Sequence, residues 1–192
     1  MKMEILVASL LALLLMACDN QGARMTEAAE KCEEAMRVGS DEVAEDLCTI
    51  ALGDNDGANL KPEIRSERLY RLGHIKRTRA EYPKAHSLIA QSLAIEESLS
   101  DSDSFPVGQR LLEMSLILAG MGQWEEGATY LERTLPFAGQ FSEEEQASML
   151  NVLKYYAGKL EQAEHPGLAE RFRNAAAELK SSLQTTEKTD SP

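Results

Sequence analysis

Leu69-Tyr-Arg-Leu-Gly73, followed by Tyr82-Pro-Lys-Ala85 and Leu88-Ile-Ala-Gln-Ser-Leu93, decides how this chain folds. Apolar residues three and four positions apart put one face of each segment inward, which is the period of an amphipathic helix. The surroundings are rich in Ala, Leu, Glu, Gln, Arg and Met and poor in β-branched runs, favouring helix over strand. Gly73 and Ala85 are small. Placed where two antiparallel helices cross, they let the helices approach, while Leu69, Leu88 and Leu93 fill the flanks. The stretch predicts a helical hairpin.

The same hairpin recurs to either side. Aligning Ala44, Ala85, Gly127 and Ala169 gives intervals of 41, 42 and 42 residues. Seven positions later stand Ala51, Ser92, Thr134 and Ala176; twelve positions earlier stand Cys32, Gly73, Ser115 and Ala157. Larger residues keep the same register: Ala28, Leu69, Leu111 and Leu153 before the crossing, and Leu52, Leu93, Leu135 and Ala177 after it. A fixed period of this length marks stacked units, each burying a face against the next. The expectation is an all-α solenoid of about four antiparallel hairpins over residues 25–180.

These columns resemble the tetratricopeptide repeat, in which a small residue of the first helix meets an alanine of the second. The other clear copy reads Leu111-Leu-Glu-Met-Ser115, Trp124-Glu-Glu-Gly127, Leu131 and Leu135. A period near 42 exceeds the usual 34 and is similar to the longer-helix kinesin-light-chain type. The resemblance implies a concave groove lined by exposed positions of each first helix. Those positions are Glu33, Met36 and Arg37, then Tyr70, His74 and Arg77, then Leu112, Leu116 and Ala119, then Lys154, Gly158 and Glu161. Tyr, Arg and exposed Leu suit the anchoring of a bound segment; Leu112 and Leu116 would equally suit burial against neighbouring helices. Arg173 departs from the pattern at an expected apolar position, as a terminal, capping repeat allows.

Turn residues agree with these boundaries. Gly39-Ser40 gives a turn and cap, and Gly53-Asp-Asn-Asp-Gly57 a loop, with Pro62 suited to the first turn of the next helix. Ser104 with Pro106 opens a fifth helix, Ser142 and Glu145 form a capping box, and Pro166-Gly167 punctuates the last pair. Residues 181–192 are polar and expected to be a disordered tail.

At the N-terminus, Lys2 precedes a run of 12 residues, Ile5 to Met16, that is apolar except for Ser9. A membrane-crossing helix needs about 20 such residues, whereas a secretory signal needs fewer. The run ends at Leu15-Met16-Ala17-Cys18, which resembles the bacterial lipobox. That resemblance implies a signal peptide over residues 1–17, cleavage before Cys18, acylation of Cys18, and a linker over 18–24. Several acyl chains on one residue satisfy the need for more than one in stable anchoring. A signal peptide with an incidental cysteine, or a short buried helix, is the plainer alternative. The expected location is the bacterial cell envelope facing the periplasm, with Asp19 leaning it toward the inner membrane.

Composition narrows the function. A net charge of −12 with 5% aromatic residues opposes general nucleic-acid binding, which needs clustered cations and stacking platforms. His74, His86 and His165 fall in separate elements. The chain contains no HExxH, CxxC, Gly-x-Ser-x-Gly or phosphate loop. The sequence thus points to no catalytic residues, metal or cofactor. Asp54-Asn55-Asp56-Gly57 lacks the ligand spacing of an EF-hand and reads as a turn. Against the acidic background, Lys61, Arg65, Arg68, Arg71, Lys76, Arg77, Arg79 and Lys84 crowd one stretch that holds only Glu63, Glu67 and Glu81. They either pair with acidic neighbours or form a strip for an acidic peptide or anionic headgroups. Cys32 and Cys48 share a hairpin and face its core, as a disulfide in an oxidising periplasm or as two small buried thiols. Two functions fit: a tethered scaffold binding a protein or peptide partner in its groove, or an immunity-type lipoprotein that inhibits a toxin or effector enzyme.

Overall fold

A computed structural model of the protein describes residues 21–99 and 104–189. The expected signal peptide, the lipidation residue Cys18 and Asp19 lie outside the described residues. Among the described residues eight α-helices follow one another: α1 (residues 21–37), α2 (Asp41–Leu52), α3 (Pro62–Thr78), α4 (Tyr82–Leu99), α5 (Phe105–Gly120), α6 (Trp124–Thr134), α7 (Glu143–Gln162) and α8 (Pro166–Thr189). Short 3-10 turns lie at Asp54–Gly57 and Leu135–Gln140. Among the described residues there is no strand. Each helix packs chiefly on its neighbours in the chain, α3 on α4 and α7 on α8 most extensively, so the helices form stacked hairpins.

The turn inside every hairpin is built the same way. Gly39, Ala80, Gly122 and Glu164 all have positive φ and stand five positions before Ala44, Ala85, Gly127 and Ala169. The following amide reaches back to the preceding helix: Ser40 to Ala35 O, Glu81 to Lys76 O, Gln123 to Leu118 O and His165 to Leu160 O, all at 2.8–2.9 Å. A left-handed residue with this backward bond is the Schellman ending of a helix. The next helix then starts in register, at Asp41, Tyr82, Trp124 and Pro166. At α7 the Ser142–Glu145 capping box is present in both directions, and Pro62 and Pro106 sit in the first turns of α3 and α5.

The small residues are buried at every crossing, and they make room for side chains more than for bare backbone. A Cβ on Gly73 would lie 2.6 Å from Ile89 Cδ1, and one on Gly127 would collide with the Tyr156 hydroxyl. That hydroxyl donates to Ser115 O at 2.5 Å and so ties α7 to α5. The last column holds less well: Leu135 is half-buried and Ala177 is exposed. Arg173 likewise points to solvent and pairs with Glu161.

Two boundaries differ from expectation. Residues 21–24, placed in the linker, already belong to α1. The tail, expected to be disordered from Ser181, continues α8 to Thr189, since Leu179 and Leu183 prolong its apolar stripe against the core.

Cys32 and Cys48 are joined as a disulfide, 16 residues apart in sequence with Cα atoms 5.2 Å apart, both fully inside the first hairpin. Closing a loop of that size stabilises the fold by about 3 kcal/mol. Reduction, or Cys32→Ala, is expected to lower the urea stability of the first hairpin by about that amount, measured with and without reductant. Ala80 and Glu164 carry Cβ atoms in the left-handed region that glycine occupies in the other two turns. Ala80→Gly is therefore expected to raise stability by about 0.5–1 kcal/mol, read from the unfolding midpoint.

Candidate functional site

The polar residues of the second and third repeats gather where α3, α4 and α5 meet. Arg110 of α5 is only 1% exposed. Its guanidinium donates to Glu67 Oε2 at 2.8 Å and to the Ser92 hydroxyl at 3.2 Å, lies 3.5 Å from Glu96, and stacks 4.3 Å above the Tyr70 ring. Ser66 and Ser92 complete this hub; the Ser92 hydroxyl donates to Ser66 O at 2.8 Å and the Ser66 hydroxyl to Ser92 O at 3.1 Å. A buried guanidinium is tolerable only with such full pairing. Burial pushes the Tyr70 hydroxyl far above its ordinary pKa.

One turn further along α5, Glu113 is buried and lies 2.6 Å from Arg77 Nε and 3.2 Å from His74 Nδ1. Desolvation raises its pKa, but the hydrogen bonds and charges of His74 and Arg77 outweigh burial and leave it below the usual 4.5.

The proposed groove positions therefore separate into two kinds. Glu33 pairs with Arg71 at 3.0 Å and bridges the first two repeats; Arg37 pairs with Glu34 on its own helix; Met36 packs on the first core. Tyr70, His74 and Arg77 are brought together, but they are engaged with Arg110 and Glu113. In the third repeat Leu112 and Leu116 are half-buried, and Leu112 packs against the large core. Lys154, Gly158 and Glu161 are exposed.

The basic stretch is paired internally along most of its length. Arg65 bonds Asp56 O and Gln91, Arg68 bonds Ala51 O, and Arg71 bonds Glu33 and Glu67. Lys76 and Arg79 share Glu45 and Glu81, and Lys84 joins Glu81. These cations join one repeat to the next, so the paired alternative describes them and a continuous receiving strip does not. Asp56 serves the same purpose, its carboxylate accepting from Gln91.

Sequence reasoning missed one cluster. The 42-residue register that sets Glu113 against His74 and Arg77 makes Tyr155 the counterpart of Glu113, and Leu116 and Ala119 the counterparts of His74 and Arg77. Tyr155 is 55% exposed and packs edge-on against half-buried Trp124 at 5.5 Å, with Lys159 Nζ within 5.6 Å of both rings. Carrying the repeat register to the neighbours of the groove residues would have found it.

Solved structures share this stacking. A putative kinesin light chain from Podosopora anserina with nearly identical TPR-like repeats has a TM-score of 0.62 at 16% identity, over 84% of this chain and 77% of that one. MamA has a TM-score of 0.64 at 13% identity, over 89% of this chain and 85% of that one. The chain has a TPR-like fold. No protein-family model matches it, and no curated protein matches its sequence.

Because the Glu113 pKa is depressed on folding, its contribution is fully present above the unfolded value of 4.5 and is lost as pH falls through the folded value. Glu113→Gln is expected to cost about 2 kcal/mol at neutral pH. The gap between variant and wild type should close on acidification below 4.5, followed by urea unfolding across a pH series.

Proposed function

We propose that this protein is a scaffold of the bacterial cell envelope, anchored through acylated Cys18 and facing the periplasm, that binds a protein or peptide segment along the first helices of its TPR-like stack. The observation that carries the binding reading is the change of character between repeats. Where α3 meets α5 the groove positions are locked in ion pairs, whereas the equivalent positions on α5 and α7 present Leu116, Ala119 and exposed Tyr155. Apolar and aromatic side chains free of internal salt bridges are the ones that anchor a partner. The scaffold reading also fits the absence of catalytic motifs in the sequence.

A second reading, inhibition of a toxin or effector enzyme, is favoured by charge. Internal pairing of the cations leaves the excess of acid outward, on a chain of net −12, where a basic enzyme would meet it. A partner that is a hydrolase silenced on binding selects this reading; a non-enzymatic assembly partner selects the first.

Leu116→Glu combined with Tyr155→Ala is expected to weaken binding of the partner captured by in-cell crosslinking at least about tenfold, or about 1.4 kcal/mol, with helicity unchanged by circular dichroism. Unchanged affinity rejects the groove. Cys18→Ala is expected to move the protein from the membrane fraction to the soluble fraction; retention on the membrane rejects the anchor.

A further inference from the structure

Terminal repeats of a solenoid ordinarily end in a polar face. The C-terminal end obeys this: α8 exposes Glu170, Arg173, Asn174 and Glu178. Among the described residues, the N-terminal end departs from this on α2. Val43, Leu47 and Ile50 on α2 are spaced by four and three residues and so form one line along the helix. Val43 is 54% exposed, Ile50 is 48% exposed, and Leu47 is half-buried.

The direction of this line follows from the ion pairs. Glu45 on the opposite side of α2 reaches Lys76 and Arg79 of α3, so the apolar line faces away from the rest of the stack. Across the recess from it, α1 presents Arg24, Glu27 and Lys31 beside Leu47 and Ile50. Lys31 is paired with Glu27 at 2.6 Å, and the long stems of Arg24 and Lys31 beside an apolar strip suit an interface where stems are buried and charges stay hydrated.

The start of the described chain indicates what covers this edge. Gln21, the first described residue of α1, lines an adjoining recess that Ile50 and Arg24 also line. Cys18 stands three residues before it, a span of about 10 Å at full extension. A chain acylated at Cys18 holds Ile50 next to the lipid headgroups. We propose that the α1–α2 edge is a membrane-contacting face, with Val43, Leu47 and Ile50 seated in the headgroup region of the bilayer that holds the anchor. The first hairpin then lies along the membrane and the later repeats project from it. This proposal rests on the acylation of Cys18 put forward above.

The test uses the acylated chain in vesicles of phosphatidylethanolamine and phosphatidylglycerol carrying brominated acyl chains. Ile50→Trp and Val43→Trp are compared with Tyr155→Trp, with native Trp124 as the internal reference. The expected result is loss of about half the added fluorescence at positions 50 and 43, and none at position 155 or from Trp124. Vesicle-bound protein whose tryptophans at 50 and 43 stay unquenched overturns the membrane face while leaving the anchor intact. If sedimentation of such protein in detergent shows a dimer that Ile50→Glu abolishes, a second copy covers the edge instead. Mass spectrometry showing an N-terminal peptide without acyl chains on Cys18 overturns the anchor, and this proposal with it.

Discussion

The structure depends on a turn that must fold back on itself at the same point in every repeat. A residue in the left-handed region, followed by an amide bonded to the carbonyl five residues back, ends the first helix and aims the second across it. Once that angle is set, the residue five positions on meets the first helix at close range and has to be small. Ala44, Ala85, Gly127 and Ala169 answer that demand, and all four are buried. The period seen along the chain is thus the imprint of backbone geometry on side-chain size.

Packing between repeats follows two rules. Between the third and fourth repeats the neighbours meet through apolar residues, as Tyr156 does against Trp124. In the middle, α3, α4 and α5 meet around Arg110, the two serines and Glu113. A network of this kind contributes little net stability over an apolar replacement, but leaving any member unpaired is costly. It fixes how the second and third repeats sit together. It also explains why so many charged residues of α3 leave little basic surface: their partners lie on the adjoining helices.

The fold was legible in the sequence because repetition multiplies a weak signal. Gly73 alone says little; Gly73 with Cys32, Ser115 and Ala157 in one column says that a helix crosses there. The pairing of Cys32 with Cys48 followed from their shared hairpin only as one of two options, since bond formation depends on the helix crossing. The site was less legible. Tyr70, His74 and Arg77 were correctly grouped on one helix, yet the residues that engage them, Arg110 and Glu113, lie 36 to 40 positions away and belong to the next repeat. A groove position in a lone hairpin cannot reveal whether its neighbour will neutralise it. The end of α8 was missed for a related reason: a polar composition suggested disorder, while two leucines at helical spacing were enough to hold the backbone to the core.

The apolar interior is divided among three clusters, one around Cys32 and Leu69, one around Ile89 and Ile117, and one around Leu131 and Phe172. The middle one is the smallest and is bordered by the Arg110 hub. A stack whose units touch only their neighbours acquires order by spreading from whichever hairpin forms first, over short loops that are quick to close. In such a molecule a local fault stays local, and the two larger clusters can each remain intact while the seam between them opens.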